Sequence, residues 1–143
     1  MKADDLKKRT KQFALRILKL VAALPQTVQG RAIGNQLVRA GTSVAANYRA
    51  ACRGRSKAEF IAKLGTVEEE ADESAFWMEL IIEGELLRAE KVESLLAEAV
   101  ERRKIMASSR ISASSSFRQS KSTTDNRGSK VISNRQSAIG NRQ

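Results

Sequence analysis

The chain has 143 residues, enough for one domain and an appendage, with 4 % aromatic residues and a single proline, Pro25, a composition that suits helices better than sheets. It carries 26 Lys and Arg against 16 Asp and Glu, for a formal charge of +10. With no histidine and one cysteine, Cys52, it lacks the residues for an intramolecular disulfide, a cysteine-rich zinc site or a histidine general base, and no run of 18 apolar residues could span a bilayer.

The opening Met1 to Asp5 is too acidic, and too soon amphipathic, for a secretory signal, so a cytoplasmic protein is expected. A first helix is predicted from about Ala3 or Asp4 to Leu24. Phe13, Ile17, Leu20 and Leu24 recur at helical spacing and share one face. Asp4 and Asp5 suit the positive end of the helix dipole, and Pro25 stops the helix. Lys7, Lys8, Lys11 and Lys19 lie largely off the apolar seam, and the cluster Lys7, Lys8, Arg9 and Lys11 reads either as a solvated face or as phosphate contacts.

A second helix is predicted from about Arg31 to Arg53, with Gly54 as its C-cap. Ile33, Leu37, Val44 and Tyr48 form its apolar stripe, and Gln36, Ala40, Ser43 and Asn47 run beside it. An unpaired buried polar group costs about 1–3 kcal/mol. Gln36, Arg39, Ser43 and Asn47 are therefore expected at a close, specific helix contact; a ligand clamp at Ser43 and Asn47 is the other reading. Gly34 and Gly41 each cost about 1 kcal/mol against Ala inside a helix, which makes sense where backbones approach closely. Arg49 and Arg53 lie one turn apart, with Arg55 and Lys57 just beyond. This cluster reads either as a phosphate-contacting patch or as dipole compensation plus pairing with an acidic neighbouring helix. Cys52, beside Arg53 and without a partner base, reads as a small apolar residue.

Ser56 followed by Glu59 is a capping-box signature and starts a third helix at about Lys57. Its seam is Phe60, Leu64, Val67, Ala71, Ala75, Met78, Ile82 and Leu86. Glu68, Glu69, Glu70, Asp72 and Glu73 crowd its other faces. Carboxylate di-iron chemistry in bundles needs Glu-x-x-His pairs, so these acids read as a solvated or salt-bridged face, and no metal or cofactor is expected. Phe76 and Trp77 are adjacent and cannot both face the seam, so one meets another helix, a second subunit or a stacked base. A fourth helix is predicted over Lys91 to Ala107, with Val92, Leu95, Leu96, Ala99 and Val100 inward and Arg102, Arg103 and Lys104 complementing its C-terminal dipole. From Ser108 to Gln143 the chain has eleven serines and few large apolar residues, and a disordered basic tail is expected.

The charges are segregated. From Leu6 to Ala58 there are twelve bases and no acid, and from Glu59 to Glu101 thirteen acids and three bases; nearly all the net charge lies beyond Glu101, where ten bases meet one acid.

The run Gln36-Leu37-Val38-Arg39-Ala40, then Ser43, Ala46-Asn47 and Ser56-Lys57-Ala58-Glu59-Phe60, resembles the bacterial "four helix bundle protein" family. That family includes proteins encoded in intervening sequences of large-subunit ribosomal RNA genes and the accessory variability proteins of diversity-generating retroelements. The resemblance spans about Asp5 to Met106. Members commonly have Ala-Glu-Gly where this chain has Arg49-Ala50-Ala51, so no role of that Glu carries over. The resemblance implies an antiparallel up-and-down four-helix bundle, an all-α fold, over residues 1–107, assembled as a homopentamer. It also implies nucleic acid, RNA before DNA, and a reverse transcriptase as partner classes, with no membrane.

Two functions stand from different classes. One is an oligomeric, nucleic-acid-binding accessory protein, with Arg49, Arg53, Arg55, Lys57, Lys7, Lys8 and Lys11 as the binding residues. The other is a helical scaffold whose basic and acidic faces satisfy each other between subunits. An enzyme is not expected, because no nucleophile with a base, metal cluster or Gly-rich phosphate loop is present.

Overall fold

The computed structural model describes residues 2–139, with side chains as far as Asp125. Among the described residues there are four helices and no strand: α1 (Ala3–Ala22), α2 (Val28–Cys52), α3 (Lys57–Glu83) and α4 (Ala89–Ile139). Short loops make successive helices antiparallel. Each packs on the next, and α4 closes back on α1 in the loosest of the four contacts.

In α1, Leu6, Phe13, Ile17 and Leu20 point inward, and the buried Thr10 hydroxyl is satisfied by donating to the Leu6 carbonyl at 2.8 Å. The second helix begins three residues before its expected start, because Thr27 Oγ1 accepts the Gly30 amide at 3.1 Å and caps it. The turn from α1 to α2 is tight: a Cβ on Gly30 would collide with the Pro25 carbonyl oxygen. Farther along, a Cβ on Gly41 would stand 2.7 Å from Ile17 Cγ1. Glycine there lets α2 lie close against α1.

Ser56 caps α3 by accepting the Glu59 amide at 3.1 Å, while the Glu59 carboxylate accepts the Arg55 amide at 2.9 Å. The buried seam of α3 is Leu64, Val67, Ala71, Ala75 and Met78 as expected. Toward the C-terminus it passes through Ser74 and Ile81 and leaves Ile82 only half-buried. Ser74 sits in the core without penalty, since its hydroxyl donates to the Glu70 carbonyl at 2.8 Å.

The fourth helix outruns its expected end at Ala107. Residues 108–125, assigned from their composition to the disordered tail, continue α4, and Ala113 and Phe117 are half-buried. The physical reason is length. At 1.5 Å rise the 27 residues of α3 span about 40 Å, so a helix ending at Ala107 would leave the first turns of α3 uncovered on the side that faces α4. Antiparallel pairing instead carries Asp72 to Arg103 at 3.4 Å, Glu68 to Arg110 at 2.8 Å and Lys57 to Ser116 at 3.1 Å. No glycine or proline interrupts residues 85–127, and serine costs only about half a kcal/mol against Ala in a helix. What was expected of the tail beyond Asp125 falls outside the residues whose side chains are described. Arg102 also departs from expectation: it is at no helix end, and it is buried, 2 % exposed.

Candidate functional site

The antiparallel pairing of α1 and α2 sets the beginning of one against the end of the other. Lys7, Lys8 and Lys11 therefore meet Arg49 across a groove of about 520 Å³ floored by Thr42, Ala45 and Ala46. Small side chains keep the floor low, and the Thr42 hydroxyl is turned to its own helix, donating to the Val38 carbonyl at 2.6 Å. Arg53, Arg55 and Lys57 follow directly from the end of α2 and are exposed at the same end of the bundle. Two clusters far apart in sequence thus become one basic end.

Lys7 lies 3.8 Å from Asp4, an exposed pair one turn apart. Lys8, Lys11, Arg49, Arg53, Arg55 and Lys57 have no carboxylate within ion-pair distance among the described residues. Pairing of Arg49 and Arg53 with the acidic third helix does not occur. That role falls to Arg39, which bridges from α2 to Glu70 at 3.2 Å and to Glu73. The hydrogen bond from Arg39 holds the Glu73 carboxyl below its ordinary range, whereas burial pushes Glu70 up against the attraction of Arg39.

Of the four helix-contact positions, Arg39 crosses to α3, and Gln36 is an exposed acceptor 3.5 Å from Arg39 Nε. Ser43 and Asn47 do not bond across helices as expected. The Asn47 amide donates to the Ser43 carbonyl at 2.9 Å, a bond within α2 that removes the need for an outside partner. The close approach belongs instead to Gly41, on the side facing α1.

On α3, Trp77 is half-buried and donates from its indole nitrogen to Glu73 at 3.3 Å, with Phe76 edge-on to it at 5.1 Å. Phe76 is the ring left at the surface, 48 % exposed. Glu68, Glu70, Asp72 and Glu73 are each engaged by an arginine. Among the described residues no three His, Cys, Asp or Glu side chains stand together as metal ligands. Cys52 is half-buried beside Tyr48, whose phenol is pushed well above its ordinary range by burial and by its bond with that thiol.

Two features were not read from the sequence. Thr42, Ala45 and Ala46, the groove floor, carry no charge to draw notice; their i, i+3, i+4 spacing was the available signal. Arg102 continues the series Val92, Leu95, Ala99 toward Met106 at alternating steps of three and four, which marks a core position.

The profile of the family described as "23S rRNA-intervening sequence protein" matches residues 3–108. A crystal structure of a protein with unknown function from the S23 ribosomal protein family of Bacteroides thetaiotaomicron superposes with a TM-score of 0.70. It is 34 % identical, over 77 % of this chain and 98 % of that one. No curated protein matches. With the profile spanning all of α1 to α3 and the first part of α4, the chain belongs to the 23S rRNA-intervening sequence protein family.

Proposed function

We propose that this protein is a non-catalytic, oligomeric accessory protein that binds nucleic acid, RNA before DNA, through the basic end of its bundle. The observation that carries this reading is the gathering of Lys7, Lys8, Lys11 and Arg49 around one groove, with Arg53, Arg55 and Lys57 beside it and almost none of them held by a carboxylate. Uncompensated bases in a row are what phosphate backbones neutralise, and arginine matches phosphate oxygens with two parallel donors. The family's description names a ribosomal RNA intervening sequence, which makes RNA the nucleic acid to test first. The resemblance to retroelement accessory proteins makes a reverse transcriptase a partner class to test.

Self-association is part of the same proposal, because a ring of copies would multiply one modest patch. Leu15, Leu18, Phe76 and Ile111 are large apolar side chains left 44–57 % exposed. Among the described residues no helix is long and apolar enough to cross a membrane. The second reading, a scaffold without nucleic acid, is favoured by the opposite charges of the basic end and of α3, which could meet between subunits. Binding of a structured RNA to a chain ending at Asp125, at about 50 mM salt where electrostatic contacts are strong, separates the two. Binding is expected, and its absence would leave the scaffold.

A further inference from the structure

On the other flank of α1, between α1 and α4, lies a second groove of about 460 Å³, with Lys8, Arg9 and Gln12 on one wall and Glu98, Glu101 and Arg102 on the other. Arg102 occupies a core position of α4 and is 2 % exposed. Its Nε and Nη1 are buried without a hydrogen-bond partner. Its one ion-pair contact, Glu101 Oε1, is 3.8 Å from Nη2, on a side chain 58 % exposed. Glu98 is held by Arg16. At the rim, Lys8 and Arg9 have no carboxylate within ion-pair distance among the described residues. A guanidinium taken out of water without hydrogen bonds is strongly disfavoured unless an anion meets it.

We propose that this groove is a phosphate-group site, with Arg102 the donor at its floor and Lys8 and Arg9 at its mouth. Three positive groups, one of them buried, call for an anion with several acceptor oxygens. A phosphate group presents three or so around one centre, where a carboxylate presents two, and guanidinium geometry matches it. The groove has the volume of a small-molecule site, in the range of about 300–1,000 Å³, so the phosphate can arrive on a nucleotide, at an RNA terminus or within an RNA backbone. The site shares only Lys8 with the basic end, and inorganic phosphate tests it whether or not that end binds RNA.

The experiment is thermal melting of the full chain in chloride and in phosphate at matched ionic strength, for wild type, Arg102→Met and Lys19→Ala, an exposed lysine of α1 that lines neither groove. Wild type should melt a few degrees higher in phosphate, by the mass action of a ligand that binds only the folded state. Arg102→Met, which replaces an unpaired buried charge with an apolar chain of similar length, should melt no lower than wild type in chloride and keep only the smaller, general gain that phosphate gives any folded protein. Lys19→Ala should keep the gain. If Arg102→Met does not fold, calorimetric titration of inorganic phosphate into wild type and the exposed-rim variant Arg9→Ala decides, with a several-fold loss of affinity expected. Displacement of phosphate by an oligoribonucleotide without terminal phosphates assigns the site to backbone phosphate, and displacement by a 5′-nucleoside monophosphate alone assigns it to a terminal one. No gain in wild type, or an equal gain in Arg102→Met, overturns the proposal. Loss of oligomer mass in Arg102→Met, together with no gain from phosphate in wild type, overturns it as well and assigns Arg102 to a carboxylate of a second copy.

Discussion

Gly41 shows how one missing side chain sets a helix spacing. A Cβ there would stand 2.7 Å from Ile17 Cγ1 and 3.1 Å from Ile17 Cβ, and Ile17 is fully buried with nowhere to turn. Gly41→Ala should therefore destabilise the fold by about 1–3 kcal/mol despite its better helix propensity, because overpacking outweighs the gain. Urea unfolding measures this; an unchanged or raised midpoint would mean that α1 and α2 can part at no cost. Charge at this scale is read through Glu73. Its carboxyl is held below the ordinary range by Arg39, so the stability it contributes is present above the usual carboxylate titration and lost as pH falls through its folded value. Glu70, raised by burial, acts in the opposite direction, losing stability as pH rises through the window above the usual value. In melts between about pH 6 and 3, Glu73→Gln should lose less stability on acidification than wild type, and Glu70→Gln should not. An unchanged acid limb in Glu73→Gln would show that the contact with Arg39 does not persist in solution.

The elements were legible in proportion to how local their signals are. Ser56 and Glu59 mark the start of α3 because a capping box is written in four consecutive residues, and the seam from Leu64 to Met78 follows from spacing alone. The start of α2 was missed because its Thr27 cap is followed by Gly30, which closes a turn against Pro25, rather than by a Glu. The length of α4 was not legible either: serine-rich composition points to disorder, whereas what orders residues 108–117 is the length of α3, a fact about a partner helix. The basic residues of the candidate site were visible as charge clusters, but their meeting depends on the α1 and α2 pairing. Arg102 was hidden by the assumption that the helix ended beside it. Truncation tests the element directly. A chain ending at Asp125 should melt as the full chain does, whereas one ending at Ala107 loses the Arg110 pair with Glu68, the Lys57 bond to Ser116 and the packed Phe117, and should melt several degrees lower. Equal melting of the two would place the end of the bundle at Ala107.

Across the whole molecule, charge is graded along the bundle axis. The end formed by the start of α1 and the loop from α2 to α3 gathers Lys8, Lys11, Arg49, Arg53, Arg55 and Lys57 without an ion-pair partner among the described residues, and Glu68, Glu70, Asp72 and Glu73 of α3 are engaged by Arg110, Arg39 and Arg103. The grading leaves the basic end free to face a polyanion while the exposed Phe76, Leu15 and Leu18 are available to other copies. Light scattering on the chain ending at Asp125 at micromolar concentration should give several times the monomer mass, and a clean monomer would remove the ring and its multiplied patch. If the basic end neutralises phosphates, the salt dependence of RNA binding to that chain will show it, wild type against Arg49→Ala/Arg53→Ala. Wild-type affinity should fall steeply with salt. In the double variant, binding should be weaker across RNA sequences and the log-log slope flatter by about one to two units, since each phosphate contact contributes roughly 0.7 to 0.9, with helicity and oligomer mass unchanged. An identical slope in the two proteins, or no binding by either at about 50 mM salt, would contradict it.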